Sequence, residues 1–430
     1  MCAAASGVPP TFSASLVMLV PVLMSLAIVT KLAPRRLAAG GRRRLGNLAA
    51  LWRDARLAGT AQGVSPLRIL LELLALNLKY PLGVRRYFEY RLFDRRLTWA
   101  EKSSYIGDTP AGNQRLWKLL TPDHYQTLFA NKLIFQGFFA SMGLPLPELY
   151  GVYDAELGHT AKGESLKSAS DLRRWMETFP GEGLVVKPIW GGAGHQILIL
   201  AGRAAGDRCT FVTLDGHRYG PERLAQFMVA TQPKSRRRDS LLANLPGAFL
   251  LQERLKPHRQ LAEFIGPTLC TVRVQSIIAL GGQPRLVAAV FKIQPEPIGV
   301  DHMTRGAVGC WVDLASGTIT RGRTRRGYEE AALIPGTDTS FIGFQLPEWE
   351  NVKELALRSA AAFPWARSIG WDIAITDRGA VLIEGNWWWS PSHIQIPAPH
   401  GLMMGEFKEL CRALQQREQG GGESPLRARS

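Results

Sequence analysis

The sequence predicts an α+β fold, in which a helical N-terminal region precedes two lobes that contain both helices and strands. Short apolar runs occur in pairs that are separated by glycine-containing turns, which is typical of paired strands. Segments with apolar residues at helical spacing precede and separate these pairs. The chain has 430 residues, of which 46% are hydrophobic. This is enough for two or three lobes with a substantial core.

Helices are predicted before, between and after the strand pairs. Thr121 and Pro122 supply a cap and a first-turn proline for a helix that continues to about Met142 and stops at Gly143. A leucine- and arginine-rich stretch over residues 66–93 predicts one or two further helices. The remaining predicted helices span residues 170–179, 221–230, 351–362 and 403–415, and the first strand spans residues 149–153.

Two carboxylates and an amide lie in the last pair of apolar runs. Asp372 belongs to the run 369–375, and Glu384 ends the run 380–384. A Thr-Asp-Arg-Gly turn joins the runs, so we expect Asp372 and Glu384 on neighbouring strands, with Asn386 on the same face as Glu384. Such oxygen ligands suit Mg²⁺, and acids inside apolar runs are costly unless they are paired or metal-bound. The alternative is a hairpin whose acids are solvated.

A lysine and a glycine-rich turn occur together upstream. Lys187 lies in the apolar strand 184–188, and a Gly-Gly-Ala-Gly sequence follows before a second apolar run. The backbone N–H groups of Gly191, Gly192 and Gly194 could cradle phosphates, with the ammonium group of Lys187 on the same phosphates. Neither a Walker loop nor a dinucleotide fingerprint is present. The alternative is an ordinary hairpin turn.

Further polar positions follow on three strands. The strand 249–255 carries Gln252, which, with the backbone groups at the end of the strand, could contact an adenine ring. The next strand, over residues 271–278, alternates like a half-buried strand with Arg273 on one face. A Gly-Gly turn connects it to residues 285–293, which carry Lys292. Two cations on paired strands match the charge of a triphosphate or of a phosphoryl-transfer transition state. The alternative is that both are rim charges of a sheet.

The order of these motifs resembles the ATP-grasp superfamily. The elements that carry the resemblance are Lys132, Val186-Lys187-Pro188, Gly191-Gly192-Ala193-Gly194, Gln252-Glu253, Thr271-Val272-Arg273, Gly370-Trp371-Asp372 and Ile383-Glu384-Gly385-Asn386. Within the superfamily, the chain is most similar to the sugar-transfer-associated group, related to the alpha-L-glutamate ligase-related proteins of polysaccharide loci. The resemblance covers residues 120–410 and implies two α/β lobes that clasp ATP.

The resemblance also implies roles for individual residues. Lys132 and Lys187 correspond to phosphate-contacting lysines, and Gln252, Glu253 and Leu255 to the adenine-binding hinge. Asp372, Glu384 and Asn386 correspond to magnesium ligands. Arg273 and Lys292 correspond to cations beside the γ-phosphate or an acylphosphate. The sequence departs from the family pattern at two places, both in the part that is expected to bind the acceptor substrate. Cys270 replaces an asparagine, and the segment around His302 lacks the family's asparagine and Gly-Gly pair.

The implied reaction is an ATP- and Mg²⁺-dependent ligation of a carboxylate to an amine through an acylphosphate, linked to the modification of cell-surface polysaccharide or glycan. The expected partners are ATP and an unidentified carboxylate, amine or sugar-linked acceptor. The alternative, from another class of protein, is a non-catalytic nucleotide-binding component of a membrane glycan-assembly complex.

The predicted domain boundaries follow the changes in composition. Residues 1–45 form a possible membrane anchor with a basic flank, and residues 46–118 form a helical region. The catalytic region spans residues 119–415, with a flap lobe at about 165–250 and a metal-binding lobe at about 250–415. Residues 416–430 are predicted to be a disordered tail.

The N-terminus predicts a single membrane anchor. Residues 12–30 contain no charge, and six basic residues follow within the next fourteen positions. The length reaches the minimum for a span, and the basic flank places the catalytic region in the cytoplasm. A cleaved signal peptide would have positive charge before the apolar run, and there is none. The alternatives are a peripheral helix or a misassigned start codon.

The net charge of +16 is typical of a protein with an anionic partner or surface, although nucleic acid is not the expected one. ATP, an anionic substrate or a membrane surface explains it as well as nucleic acid does, and no nucleic-acid-binding motif is present. The five cysteines show no CxxC pattern, which favours reduced thiols, and Cys270 is more simply a packing residue than a nucleophile.

The residues after the metal-binding motif leave alternatives open. The three tryptophans 387–389 could stack on a sugar or peptide acceptor or pack in the core. His393 and His400 are interpreted as loop residues.

Overall fold

The computed structural model describes residues 39–80, 82–107, 110–191, 196–230, 247–294, 307–324 and 330–419. The chain divides between Glu72 and Leu73 into two compact units. Residues 12–30, Gly192, Gly194 and His302 lie outside the described residues, as does the tail after residue 419. No helix in the described part of the chain is long and apolar enough to cross a membrane.

The helices of the described residues are numbered in chain order. They are α1 (Ala39–Gln62), α2 (Pro66–Lys79), α3 (Val84–Glu89), α4 (Trp99–Ser103), α5 (Pro110–Leu120), α6 (Gln126–Ala130), α7 (Lys132–Ser141), α8 (Ala169–Thr178), α9 (Pro221–Ala230), α10 (Arg259–Ile265), α11 (Trp349–Ala362), α12 (Pro391–Gln395) and α13 (Gly405–Gln419). The last helix therefore continues four residues into the segment predicted to be a tail.

The strands are numbered in the same way. They are β1 (Leu149–Tyr153), β2 (His159–Thr160), β3 (Leu184–Pro188), β4 (Leu198–Leu200), β5 (Gly202–Ala204), β6 (Asp207–Val212), β7 (Arg218–Tyr219), β8 (Phe249–Glu253), β9 (Thr271–Ile278), β10 (Pro284–Ile293), β11 (Val308–Val312), β12 (Ile319–Thr324), β13 (Glu330–Ala331), β14 (Ser368–Thr376) and β15 (Gly379–Asn386).

These strands form three antiparallel sheets. A five-stranded sheet has the order β2-β1-β8-β3-β4, and a small sheet has the order β5-β6-β7. A seven-stranded sheet has the order β13-β12-β11-β10-β9-β14-β15. The five-stranded sheet carries Lys187, whereas the seven-stranded sheet carries Arg273, Lys292 and the three predicted metal ligands.

The seven-stranded sheet is buried on both faces. One face packs with α11 and α7 in a core that contains Val272, Val274 and Ile373. The other packs with α5, α12 and α13 in a core that contains Ile277 and Val290. Because every residue of β9 is buried, the expectation of a half-buried strand around Arg273 is wrong. The alternation reflects two different buried environments rather than an inner and a solvated face.

The single helix predicted from Thr121 to Met142 is also wrong. The chain forms a 3₁₀ turn and the short helix α6, and then becomes extended at Asn131, which pairs with Trp190. The side-chain oxygen of Asn131 accepts hydrogen bonds at 3.0 Å from the backbone N–H groups of Leu133 and Ile134, so it caps α7. This break places Lys132 in the first turn of α7, where its backbone N–H donates to Ile189 at 2.9 Å.

Candidate functional site

The pairing of the strands places Arg273, Asp372 and Glu384 in a row across the seven-stranded sheet. Asp372 on β14 lies directly opposite Arg273 on β9 and opposite Glu384 on β15. Directly paired residues of antiparallel strands project from the same face, so these side chains share one face of the sheet. Asn386 follows Glu384 by two positions and lies on that face too.

Asp372 is held by two buried cations. Arg273 donates from Nε and Nη2 to the two carboxylate oxygens, both at 2.7 Å, and Lys292 Nζ lies 3.3 Å from Oδ1. All three side chains are less than 10% exposed. Burial by itself would raise the pKa of Asp372, but the charges of Arg273 and Lys292 outweigh it and hold the pKa far below its ordinary value. Asp372 is therefore a permanent carboxylate that fixes both cations in place.

Asn386 connects Asp372 to Glu384. Its Nδ2 donates to Glu384 Oε1 at 3.1 Å and lies 3.4 Å from Asp372 Oδ2 and 3.3 Å from the carbonyl oxygen of Gly370. Glu384 is half-buried, and no cation of the described residues lies within ion-pair distance of it. The carboxylate of Asp372 is thus neutralised by two cations, whereas the carboxylate of Glu384 is not paired with a cation of the described residues.

Two buried lysines form the other half of the site. Lys132 and Lys187 are 9% and 8% exposed, and Lys132 Nζ donates to the carbonyl oxygen of Gly191 at 2.6 Å. Burial and, to a smaller extent, the charge of Lys132 lower the pKa of Lys187 to about 8, against the opposing charge of Glu384. Burial also lowers the pKa of Lys132, again against the charge of Glu384. The two lysines of the five-stranded sheet and its neighbouring helix therefore share an electrostatic environment with Glu384 of the seven-stranded sheet.

Helix α7 and a glycine bring these two halves together. Gly385 lies between Glu384 and Asn386, and a Cβ atom there would lie 2.8 Å from Trp371, 3.0 Å from Phe129 and 3.1 Å from Phe135. The absence of a side chain lets the aromatic residues of α6 and α7 pack on β15. Lys132, at the start of α7, is thereby placed near Glu384.

The predicted adenine strand differs from expectation in one respect. β8 is a central strand that pairs with β1 and β3, so its backbone groups are engaged within the sheet. Gln252 is only 2% exposed, and its Nε2 donates at 2.9 Å to Gln136, whose own amide donates to Pro147. The side chain of Gln252 therefore joins α7 to β8 and does not extend from the end of the strand.

The other two hinge residues also have partners. Glu253 forms an ion pair at 2.8 Å with Arg378 and accepts a hydrogen bond from the backbone N–H of Glu148. Leu255 is buried against Ala374 and Val381. Backbone groups immediately after Glu253 remain the ones that a hinge could use, because they follow the end of β8.

The tryptophans after Asn386 divide between core and surface. Trp389 is buried, with its ring centre 4.5 Å from that of Trp117, whereas Trp388 is 47% exposed. His393 lies in α12 rather than in a loop. His400 Nδ1 lies 3.1 Å from the carbonyl oxygen of Gly401, and it donates to this oxygen in the tautomer that carries the proton on Nδ1.

Two supporting residues were not identified from the sequence. Gln136 is the polar exception on the apolar helix α7, which is the signal that could have revealed its bond to Gln252. Gly370 belongs to the Gly370-Trp371-Asp372 motif that carries the resemblance, but the sequence predicts no structural role for it, although a Cβ atom there would lie 3.0 Å from Arg273 Cδ and 3.1 Å from Gln275 Oε1. Gly370 thus leaves the space that the side chain of Arg273 occupies on its way to Asp372.

Residues 112–411 match the model of the sugar-transfer associated ATP-grasp family, and the chain belongs to this family. It has the ATP-grasp fold with an N-terminal helical segment, as the sequence predicted. No curated protein matches the chain.

Solved structures that resemble the chain are distant. D-cycloserine synthetase DcsG has 15% identity, over 71% of this chain and 77% of that chain, with a TM-score of 0.37. Biotin carboxylase from Campylobacter jejuni has 11% identity and a TM-score of 0.37, and the match covers 67% of this chain and 46% of that chain. D-alanyl-alanine synthetase A from Vibrio cholerae has 10% identity, over 68% and 64%, with a TM-score of 0.35. Likeness at this level supports no inference about activity.

Proposed function

We propose that this protein is an ATP- and Mg²⁺-dependent ligase that joins a carboxylate to an amine through an acylphosphate. The observation that carries the proposal is the pairing of two charge clusters. Lys132 and Lys187 form a buried cationic pair, and Glu384 faces them from the row that contains Asp372, Arg273 and Lys292. Buried lysines without matched carboxylates are costly, and a polyphosphate is the ligand that offsets this cost.

The donor set fits a magnesium ion. Two carboxylates and an amide on one face provide oxygen atoms, which Mg²⁺ prefers, and water and phosphate oxygens complete its shell. Within the described residues, no group of three or more His, Cys, Asp or Glu side chains forms a metal site. In this proposal the magnesium site depends on the nucleotide, because its phosphate oxygens would complete the shell that Asp372, Glu384 and Asn386 begin. Glu384 would be the principal ligand, because no cation of the described residues neutralises its charge. Asn386 takes part through its amide oxygen after a rotation of the amide.

The chain's own residues then divide the work of the reaction. Lys132 and Lys187 hold the phosphates of ATP. A substrate carboxylate oxygen bonds to the γ-phosphorus while the bond between this phosphorus and the β,γ-bridging oxygen breaks, and ADP leaves with the electron pair. Arg273 and Lys292 stabilise the charge on the transferred phosphoryl group, and Asp372 keeps them oriented. Bound magnesium supplies charge neutralisation on the phosphate oxygens.

The second half of the reaction completes the ligation. A neutral amine bonds to the carbonyl carbon of the acylphosphate, the bond from this carbon to the phosphate oxygen breaks, and inorganic phosphate leaves. The nitrogen then releases one proton, so the products are an amide, ADP and phosphate. In this proposal Arg273 and Lys292 stabilise the departing phosphate.

The link to glycan or polysaccharide modification rests on the description of the family, and we propose a sugar-linked acceptor on that ground alone. Membrane attachment through residues 12–30 remains a prediction from the sequence. Fractionation of the full-length chain, compared with a chain that starts at Gly46, tests it: a soluble full-length protein after a low-salt wash contradicts the anchor.

The function is tested by product analysis. The full-length protein is incubated with MgATP and a mixture of amino acids and nucleotide sugars, and the products are identified by mass spectrometry. We expect ADP, phosphate and a condensed product that has lost one water relative to its two substrates. Formation of AMP and pyrophosphate would contradict the proposed reaction. MgATP binding without ADP formation in every acceptor mixture would favour the non-catalytic alternative.

Lys132→Ala and Lys187→Ala test the phosphate contacts independently of turnover. Each substitution removes a charge-assisted contact worth about 1.5–3 kcal/mol, so each is expected to weaken MgATP binding by about 10-fold to 100-fold. Lys256→Ala is the control, because Lys256 forms an exposed pair with Glu182 at 3.0 Å. Unchanged MgATP affinity in both folded variants would contradict the assignment.

A further inference from the structure

A second row of charged residues crosses the seven-stranded sheet beyond Lys292. The register pairs Lys292 with Gly309, Gly309 with Arg323, and Arg323 with Glu330. Directly paired residues project from the same face, so Arg323 lies on the face that carries Lys292 and Asp372, two strands further along. Neighbouring strands are 4.7–4.9 Å apart, which separates β10 from β12 by about 10 Å. Gly309, between them, contributes no side chain to this face.

Arg323 is buried and only partly satisfied. It is 4% exposed; its Nη1 donates to the carbonyl oxygen of Ile396 at 3.2 Å, and its Nη2 donates to Glu330 at 3.3 Å. None of the described residues accepts a hydrogen bond from its buried Nε. A buried N–H of a guanidinium group without an acceptor is costly and requires an explanation, such as a bound water or anion.

Arg321 lies two residues earlier on the same strand face and shares the same acid. Its Nη2 donates to Glu330 at 2.7 Å, and its Nη1 donates to the carbonyl oxygen of Ala398 at 3.2 Å. Two guanidinium groups are thus matched by one carboxylate, whose side chain is itself 54% exposed. The segment that follows α12 holds both arginines through its carbonyl oxygens, which fixes their direction without adding negative charge.

The electrostatic environment of this cluster is positive. Burial, together with the charges of Arg321 and Arg91, lowers the pKa of Arg323 to about 10, against the opposing effect of Glu330. Tyr105 lies close enough for Arg323 and Arg321 to oppose the rise that burial causes in the pKa of its hydroxyl group. The excess positive charge at a largely buried position is stabilised by an anion far better than by water.

We propose that Arg323 and Arg321 form a subsite for a carboxylate or phosphate group of the acceptor substrate. This inference rests on the proposed ligase function, because it assigns the anion to the acceptor rather than to ATP. The subsite lies on the same sheet face as Arg273 and Lys292 and two strands from Lys292. The substrate class that fits has an anionic group about 10 Å from the reacting carboxylate or amine.

The test measures anion binding to the full-length protein, with MgADP at saturation to occupy the nucleotide site. Inorganic phosphate and glutarate are titrated separately by calorimetry, which distinguishes a phosphate from a carboxylate ligand. Arg323→Gln and Arg321→Gln are each expected to weaken the binding of the recognised anion by about 10-fold to 100-fold, because each removes charge-assisted hydrogen bonds. Arg323→Lys, which keeps the charge but loses the planar fork, is expected to lose less.

Arg285→Gln is the matched control, since it removes the same charge from an exposed residue that is 3.8 Å from Glu406. It should leave anion binding unchanged, and MgATP affinity should remain within two-fold in all variants. If Arg323→Gln does not fold, as shown by its thermal unfolding, Arg321→Gln is used instead, because the side chain of Arg321 is less buried, with 24% exposed.

The proposal of an anion subsite would be wrong if the folded glutamine variants bound the anion as tightly as the wild-type protein. It would also be wrong if the wild-type protein bound neither phosphate nor glutarate. A fall in MgATP affinity that parallels the fall in anion affinity would also overturn it, because the arginines would then act through the structure. Failure of the proposed function has a different signature, namely that the wild-type protein does not bind MgATP, or binds it and forms no ADP in any acceptor mixture.

Discussion

Replacement of Lys187 with methionine is expected to stabilise the protein while it weakens ATP binding. The pKa of Lys187 falls from the ordinary 10.5 to about 8 because the side chain is buried beside Lys132. Each pKa unit corresponds to about 1.4 kcal/mol, so the charged lysine costs the folded state about 3 kcal/mol at pH 7 relative to the unfolded chain. Methionine has a similar length and carries no charge, and it removes this cost.

The sign of the pH dependence follows from the same shift. Between pH 8 and pH 10.5 the unfolded chain retains the proton on Lys187 and the folded state does not, so the stability of the wild-type protein rises with pH in this window. The advantage of Lys187→Met should therefore be constant below about pH 8 and disappear by about pH 10.5. Binding of ATP should weaken as pH rises through 8, because the ammonium group loses its proton.

The measurements are urea unfolding at pH 7 and at pH 10, and calorimetric titration of MgATP. Lys256→Met is the matched control, because its lysine is exposed in a surface pair worth at most about 1 kcal/mol. We expect Lys187→Met to gain up to about 3 kcal/mol at pH 7 and to lose about 10-fold to 100-fold in MgATP affinity. If Lys187→Met were less stable than the wild-type protein at pH 7, the claim that the buried charge of Lys187 destabilises the folded state would be refuted.

Three further substitutions test the acidic half of the site. Asp372→Asn leaves Arg273 and Lys292 buried without their carboxylate, so urea unfolding should show a loss of about 3–5 kcal/mol, and a stability equal to that of the wild-type protein would contradict the ion cluster. Glu384→Gln should retain stability within about 1 kcal/mol, because no cation pairs with it, yet should remove magnesium-dependent ADP formation; persistent turnover would remove Glu384 from the metal site. Gly370→Ala places a Cβ atom 3.0 Å from Arg273 Cδ and should lower turnover through displacement of Arg273, whereas Gly202→Ala, where a Cβ atom meets no atom within 4 Å, should not; equal turnover in both variants would show that the position of Arg273 is not limiting.

Much of the fold could be predicted from local sequence. The apolar runs around Lys187, Arg273 and Asp372 are strands, since β-branched residues between glycine turns have few other structures. The four helices predicted after residue 165 begin within two residues of their predicted starts, and Ser168 and Pro221 set the first two of these starts locally. The short helices α10 and α12 were not predicted. The order of the motifs was also sufficient to predict the family.

The features that the sequence did not predict are contacts between residues that are distant in the chain. Asn131 interrupts the predicted helix because Trp190, almost sixty residues later, pairs with it. The hydrogen bond from Gln252 to Gln136 could not be predicted either, because Gln136 lies on a helix that precedes Gln252 by more than a hundred residues. The contact of Gln252 with adenine stays a prediction. The sequence does not identify Arg323 as a site residue, because only the order of the strands in the sheet places it on the same face as Lys292. Strand order is a tertiary property, and hydrophobic periodicity does not determine it.

The central claim is that the chain activates a carboxylate as an acylphosphate, and isotope transfer tests this directly. The donor that product analysis identifies is labelled with ¹⁸O in its carboxylate, and the released phosphate is examined by mass spectrometry after a single turnover with MgATP. In the proposed reaction a carboxylate oxygen becomes the bridging oxygen and leaves with the phosphoryl group, so each phosphate should carry one ¹⁸O atom. Phosphate without label, released together with the ligated product, would show that the carboxylate never attacked the γ-phosphorus and would contradict the account.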